Sequence, residues 1–148
     1  MGTTITRKTD YASRIVLELA MAPPGVWVTT QEIADRRLVP HPITRQVVSQ
    51  LVKSGLVKSR RGSEGGVSLA RPAAEISLLD VVEAMEGPIA LNPCVLDPQE
   101  CPLVEECPVH DAWVRAQADL VAHLRQETFD VLAQRALAER AAHPNGNG

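Results

Sequence analysis

Apolar residues recur at helical spacing over residues 8–21, where Tyr11, Ala12, Ile15, Val16, Leu19 and Ala20 share one face. Ala22-Pro23-Pro24-Gly25 stops that run, and Trp27-Val28 follows as a short extended piece. A second helix is predicted from Thr29, which forms a capping box with Glu32, through Ile33, Ala34 and Arg37. Leu38-Val39-Pro40 reads as a turn. Pro42 suits the first turn of a third helix that runs to about Ser54, with Gly55 in the position of a left-handed cap. Ile43, Val47, Val48 and Leu51 point inward from it, while Thr44, Arg45, Gln46, Ser49, Gln50 and Lys53 fall mostly on the outer side. The period then changes to two: Leu56-Val57-Lys58-Ser59-Arg60-Arg61 is a strand, Gly62-Ser63-Glu64-Gly65-Gly66 a hairpin turn, and Val67-Ser68-Leu69 a return strand. Ser77 caps a further helix over 77–86 that Gly87-Pro88 ends. Residues 109–137 read as one long helix of about 40 Å at the usual rise per residue, with Trp113, Leu120, Val121, Leu124, Phe129 and Leu132 among its apolar positions. Residues 138–148 read as a disordered tail.

Two short helices joined by a tight turn, the second polar outside, form a helix-turn-helix pattern, though an ordinary helical hairpin gives the same one. The basic hairpin directly after it decides for a wing. Arg60, Arg61 and Ser63 on that wing can meet phosphates or a minor groove while Thr44, Arg45, Gln46 and Ser49 of the third helix enter the major groove. The glycines of the turn are not followed by a helix start with Lys-Ser/Thr, which argues against a nucleotide cradle. The fold class expected is mainly α with a small β-hairpin wing: a winged helix-turn-helix plus a long C-terminal dimerisation helix. Its parts are a DNA-binding domain over 1–87, a loop over 88–108, the dimerisation helix over 109–137 and the tail. Nothing else in the chain is left to cover so long a helix, so a second copy does, most simply in a twofold homodimer.

Composition narrows the class. The 148 residues suffice for one domain with an appendage, and with 45 % hydrophobic but 3 % aromatic residues the core must be built from Val, Leu, Ile and Ala. No apolar run is long enough for a membrane span, and Lys8, Asp10, Arg14 and Glu18 interrupt any signal-peptide pattern, so a cytoplasmic protein without a membrane partner is expected. The opening Met-Gly-Thr-Thr-Ile-Thr matches an acylation pattern, read as chance because Ile5 onward is needed for the first helix. The net charge of −3 conceals an asymmetry. Residues 1–71 carry eleven Lys and Arg against five Asp and Glu; residues 72–148 carry four against thirteen. The basic half can bind double-stranded DNA while the acidic half faces elsewhere.

All three cysteines lie between Cys94 and Cys107, separated by six and then five residues, with His110 three positions further on. Pro93, Pro98, Pro102 and Pro108 break regular structure there and make the segment a loop that ends at a helix start. Three soft thiolates and an imidazole in one loop point to a metal or iron–sulfur site. Disulfides would want an even count and an export signal. Structural zinc usually shows short Cys-x-x-Cys knuckles, and buried structural thiols would not be spaced by Asp, Glu and Pro. A lone histidine at a helix start is solvated as often as it ligates. A redox enzyme or electron carrier is disfavoured, since no nucleotide fingerprint or second cluster motif is present. No enzyme is expected.

The order of these pieces resembles the IscR/NsrR/RirA-type bacterial regulators, over nearly the whole chain from Ile5-Thr6-Arg7-Lys8-Thr9-Asp10-Tyr11-Ala12 to about Leu132. Its most specific parts are Gly55-Leu56-Val57 with the Arg-Arg-Gly-Ser-Glu-Gly-Gly wing, and the cysteine loop. The resemblance implies a homodimeric winged-helix transcription factor that holds an iron–sulfur cluster, with Cys94, Cys101 and Cys107 as thiolate ligands. It offers two fourth ligands: His110, as in IscR-like members, or Asp10 from the other subunit's first helix, as in NsrR-type members. Asp10 and a 4Fe–4S cluster are favoured over His110 and 2Fe–2S because Cys101-Pro102-Leu103 and Cys107 sit closer to the NsrR side. The first gap, six residues rather than five, departs from both. The signal implied is nitric oxide, redox stress or iron status; a zinc- or thiol-based sensor is the alternative. Around Pro42, Thr44, Arg45 and Gln46 the chain departs from IscR, which has an acidic residue at the position of Arg45, so no operator sequence carries over. Arg61 matches the wing arginine.

Overall fold

The computed structural model of the chain describes residues 5–144. Gly2 of the acylation pattern and residues 145–148 of the expected tail lie outside the described residues. In chain order the elements are α1 (Arg7–Met21), α2 (Thr30–Arg37), α3 (His41–Lys53), β1 (Val57–Arg60), β2 (Gly66–Leu69), α4 (Leu78–Glu86), α5 (Pro93–Leu96), α6 (Pro108–Gln126) and α7 (Phe129–Ala142), with short 3-10 turns at 73–75, 98–100 and 104–106. The architecture is mainly helical with one antiparallel hairpin.

α1 is the central rod. Thr6 caps it by accepting the Thr9 amide, and Ala12, Ile15, Val16 and Leu19 are buried against α2, α3, α4 and α7. The core is completed by Val47, Val48 and Leu51 of α3, Leu56, Val57 and Val67 at the base of the hairpin, and Ile76, Val81 and Phe129. Glu18 is also buried on α1, where it accepts from Arg36 Nη1 at 3.2 Å and Arg37 Nε at 2.6 Å and so fixes α2 to α1.

Thr29 accepts the Glu32 amide at the start of α2, and Leu38 ends that helix in the left-handed region at φ 53°. A leucine takes this costly conformation because the next residue, Val39, is drawn into the core at 3 % exposure and its amide bonds back to the Ala34 carbonyl. The hairpin pairs Val57 with Leu69 and Arg60 with Gly66. Val28 adds a one-residue bridge on the far side of β2, exchanging two hydrogen bonds with Val67 at 3.0 and 2.7 Å. Gly66, at φ 148°, permits this approach: a Cβ there would sit 2.7 Å from the Val28 carbonyl oxygen. α4 begins in a complete capping box between Ser77 and Asp80.

The long helix expected over 109–137 is two helices. Residues 127–129 leave helical geometry to pair with the strand-like start of α4: Leu78 donates to the Glu127 carbonyl at 2.8 Å, Phe129 donates to that of Ile76 at 2.9 Å, and Ser77 bridges Thr128. Breaking the helix turns Phe129 into the core at 1 % exposure and lays α7 along α1. α7 continues to Ala142, so residues 138–142 of the expected tail are helical. Among the described residues no helix is long and apolar enough to cross a membrane.

Candidate functional site

Arg45, Ser49 and Lys53 stand one turn apart on α3 and face the hairpin. Together with Thr30, Ser59 and Arg61 they line an open cleft between α3 and the wing. Three cations border this cleft, and no acidic side chain among the described residues lines it, which suits it to phosphate oxygens. Gln46 is exposed on the adjoining face of α3, and Ser63 is exposed at the hairpin tip. One sequence-predicted contact does not hold. Thr44 is fully buried and its hydroxyl donates to the Pro40 carbonyl at 3.1 Å, because the turn into α3 rotates it under the helix, so it cannot reach a groove. Arg60 belongs to the opposite face of β1 from Ser59 and Arg61; its guanidinium lies over the Trp27 ring, 4.3 Å from the centroid, and donates to the Glu64 carbonyl at 2.6 Å. Thr30 and Lys53 are additions. Lys53 was legible as the residue four beyond Ser49, whereas Thr30 enters only through the angle between α2 and α3.

The cysteine segment is built by its prolines. Pro93 opens α5, Pro98 opens a 3-10 turn whose Asp97 side chain accepts the Gln99 amide, and Pro108 opens α6. Cys94 rides on α5, Cys101 follows the first 3-10 turn, Cys107 is the residue before α6, and His110 lies in the first turn of α6. All four line one open pocket of about 270 Å³, together with Asn92, Glu100, Val109 and Trp113. The three thiols are free and half-buried, and His110 Nδ1 lies 3.3 Å from Cys94 Sγ. Among the described residues no three His, Cys, Asp or Glu side chains converge closely enough to hold a single ion. Asp10 does not line the pocket. It is exposed on α1 and accepts from Arg14 Nη2 at 2.7 Å.

A third feature joins these two. Val109, Ala112, Trp113 and Ala116 form a shallow apolar groove on α6, and the same side of the helix continues to Leu120 and Leu124, which meet Ile5, Val82, Ile89 and Leu91 around a larger apolar hollow. No residue of α6 is buried, and Trp113 keeps 41 % of its surface exposed.

A helix-turn-helix with a basic wing, followed by a thiol-lined pocket at the head of a partly uncovered helix, defines a winged-helix transcriptional regulator. A family profile described as "Rrf2: Iron-dependent Transcriptional regulator" matches residues 5–135. The chain belongs to the Rrf2 family of transcriptional regulators and is not an enzyme. It is 33 % identical over 144 residues to a protein of Mycobacterium tuberculosis strain H37Rv named as a candidate HTH-type transcriptional regulator, covering 93 % of this chain and 86 % of that one. Its fold is similar to that of CymR, the global cysteine regulator of B. subtilis, with a TM-score of 0.74 and 30 % identity over 89 % of this chain and 97 % of that one. It is likewise similar to T. potens IscR, with a TM-score of 0.71 and 25 % identity over 89 % of this chain and 88 % of the other.

Proposed function

We propose that the protein is a homodimeric regulator that binds double-stranded operator DNA through α3 and the wing, and that its cysteine pocket holds an iron–sulfur cluster responsive to nitric oxide, redox stress or iron status. The observation that carries this reading is the gathering of Cys94, Cys101, Cys107 and His110 around one pocket at the head of α6. Their chemistry fits the group: three soft sulfur donors and one imidazole around about 270 Å³ suit a multi-atom cluster better than one ion, which needs all its donors about 2.0–2.3 Å from a single centre. A bound cluster supplies electron-transfer chemistry and a centre open to attack by nitric oxide or oxygen.

The three cysteines are the proposed thiolate ligands, and His110 is the fourth donor available within the same chain. Asp10 reaches the pocket only from a partner's α1. Because Cys94 lies on α5 while His110 lies on α6, ligation by both ties the loop to the helix and orders a segment otherwise held by short turns. The apolar side of α6 supplies the contact between copies, with the two α3 helices presented to successive major grooves about one DNA turn apart. Double-stranded DNA is favoured by the cationic cleft. In the acidic half, residues 72–114 carry no lysine or arginine at all.

The test is a visible absorption spectrum of protein purified without oxygen, with iron and sulfide assayed alongside. One broad visible band points to a 4Fe–4S cluster and several resolved bands to 2Fe–2S. A second reading, a zinc- or thiol-based sensor, is favoured by the Cys94–His110 contact and by the fold shared with a protein named as a cysteine regulator. Colourless protein that contains zinc, or no metal after reconstitution, yet still binds DNA would replace the first reading with the second.

A further inference from the structure

The wing of this protein has two basic faces, and they do different work. Strand alternation sends Lys58 and Arg60 to one side of β1 and Ser59 to the other, where Arg61, just past the strand, joins it along the cleft. On the first side stands Trp27, half-buried, with the Arg60 guanidinium 4.3 Å and the Lys58 ammonium 5.4 Å from its ring centroid. Arg60 also donates to the Glu64 carbonyl in the hairpin turn at 2.6 Å, so one side chain connects the tip of the wing to the indole. The next residue, Val28, is hydrogen-bonded both ways to Val67 of β2, and Thr29 directly after it caps α2. The wing is thereby attached to the first residues of the helix-turn-helix on its outer side. Its other face, with Ser59 and Arg61, is left open to the cleft shared with α3.

We infer that Trp27 and Arg60 form a latch that positions the wing, with Arg61 as the wing's DNA contact and Arg60 as a positioning residue that touches no DNA. A two-stranded hairpin is marginal by itself. Stacking a cation from its distal end on an aromatic ring anchored beside α2 restricts its swing, so that Arg61 is presented at a fixed distance from Arg45 and Lys53. The latch also explains a tryptophan in a chain so poor in aromatics, at a position where the core needs none.

This inference rests on the DNA-binding reading, and the experiment separates the two. A duplex is selected from a random-sequence pool on the full-length wild-type homodimer, and its affinity is measured as a function of salt for wild type and variants. Failure to recover any duplex would count against DNA binding itself. If the latch is right, Arg61→Gln lowers the salt slope by about 1.8, which is about 0.9 for the one phosphate that each of the two subunits no longer neutralises. Arg60→Gln, which removes the stacked cation, lowers the slope as Arg61→Gln does, and the two combined lower it no further. Trp27→Ala weakens binding about tenfold and lowers the slope as Arg61→Gln does, those two changes combined lower it no further, and Trp27→Phe restores wild-type behaviour. Should Trp27→Ala fold poorly by circular dichroism, the combination of Arg60→Gln with Arg61→Gln still decides. A combined loss of about 3.6 in slope, the sum of two independent contacts per subunit, would make Arg60 a direct contact and overturn the latch, as would a folded Trp27→Ala that binds like wild type.

Discussion

Glu18 sits at 4 % exposure between α1 and α2 with an arginine against each carboxylate oxygen, and it is the one buried charge among the described residues. Removing one side of such an arrangement leaves the other uncompensated. Glu18→Ala should therefore cost about 3 kcal/mol in urea unfolding, at the lower end for a buried pair because Arg36 keeps half its surface in water. Asp130 gives a second test with a defined sign. The Thr128 hydroxyl, and after it the Val131 amide, holds the Asp130 carboxyl below its ordinary range. A lowered folded value means a contribution present above the ordinary carboxylate range and lost as pH falls through the lowered value. Thr128→Val should move the Asp130 titration, followed by NMR, back up; an unmoved titration would refute the assignment. Replacing Cys94, Cys101 or Cys107 by alanine should each abolish visible absorption in reconstituted protein while leaving the helical content intact. Among individual residues, the gathering of the cysteines and the place of Arg61 on the wing were legible in the sequence because type and spacing carry them. The burial of Thr44 and the stacking of Arg60 on Trp27 were not. Helical periodicity placed Thr44 on a boundary that the turn at Leu38 resolved inward, and nothing in the sequence reveals that Trp27 stands beside Arg60.

The elements were legible wherever local chemistry defines them: the Thr29 and Ser77 caps, the Gly55 stop and the presence of the hairpin all follow from neighbours in sequence, whereas its register, with Gly66 in the strand opposite Arg60, does not. The break between α6 and α7 was not, because the apolar positions Leu120, Leu124 and Leu132 keep helical spacing across it. Its cause lies far upstream, in the free backbone groups of Ile76 and Leu78. Its only local sign is Thr128 followed by Asp130, a helix-start pattern inside an otherwise continuous run. Phe129, buried beside the backbone pairing with 76–78, anchors the break in the core. Phe129→Ala should destabilise by about 3–5 kcal/mol, the usual cost of emptying a buried aromatic site, measured by urea unfolding. A loss below about 1 kcal/mol would mean that the backbone pairing with 76–78 holds the junction without the ring.

Across the whole molecule, charge and shape divide the labour. Three cations line the cleft between α3 and the wing, whereas the cysteines belong to a stretch of sequence, residues 72–114, without lysine or arginine, a division that favours the proposed duplex contact at the cleft. The uncovered side of α6 is the proposed contact with a second copy. Trp113→Glu should place a charge in that contact, convert the dimer to monomer by sedimentation, and weaken DNA binding by the loss of two-headed attachment. Unchanged dimers would send the contact elsewhere. The pinning of α6 at its far end has a mechanical consequence. From Pro108 to Leu120 the helix makes an arm of about 18 Å, held to the body at Leu120, Leu124 and residues 127–129 and ending at the thiol pocket, so a displacement of about 2.5 Å at the tip corresponds to a rotation of about 8° at the fulcrum. If the two arms are clasped together as a common axle, that rotation falls on the bodies instead, and each reading head swings in the opposite sense about its own pivot. The gap between the two heads is then geared to events no larger than a single chemical bond or two at the far end of the molecule.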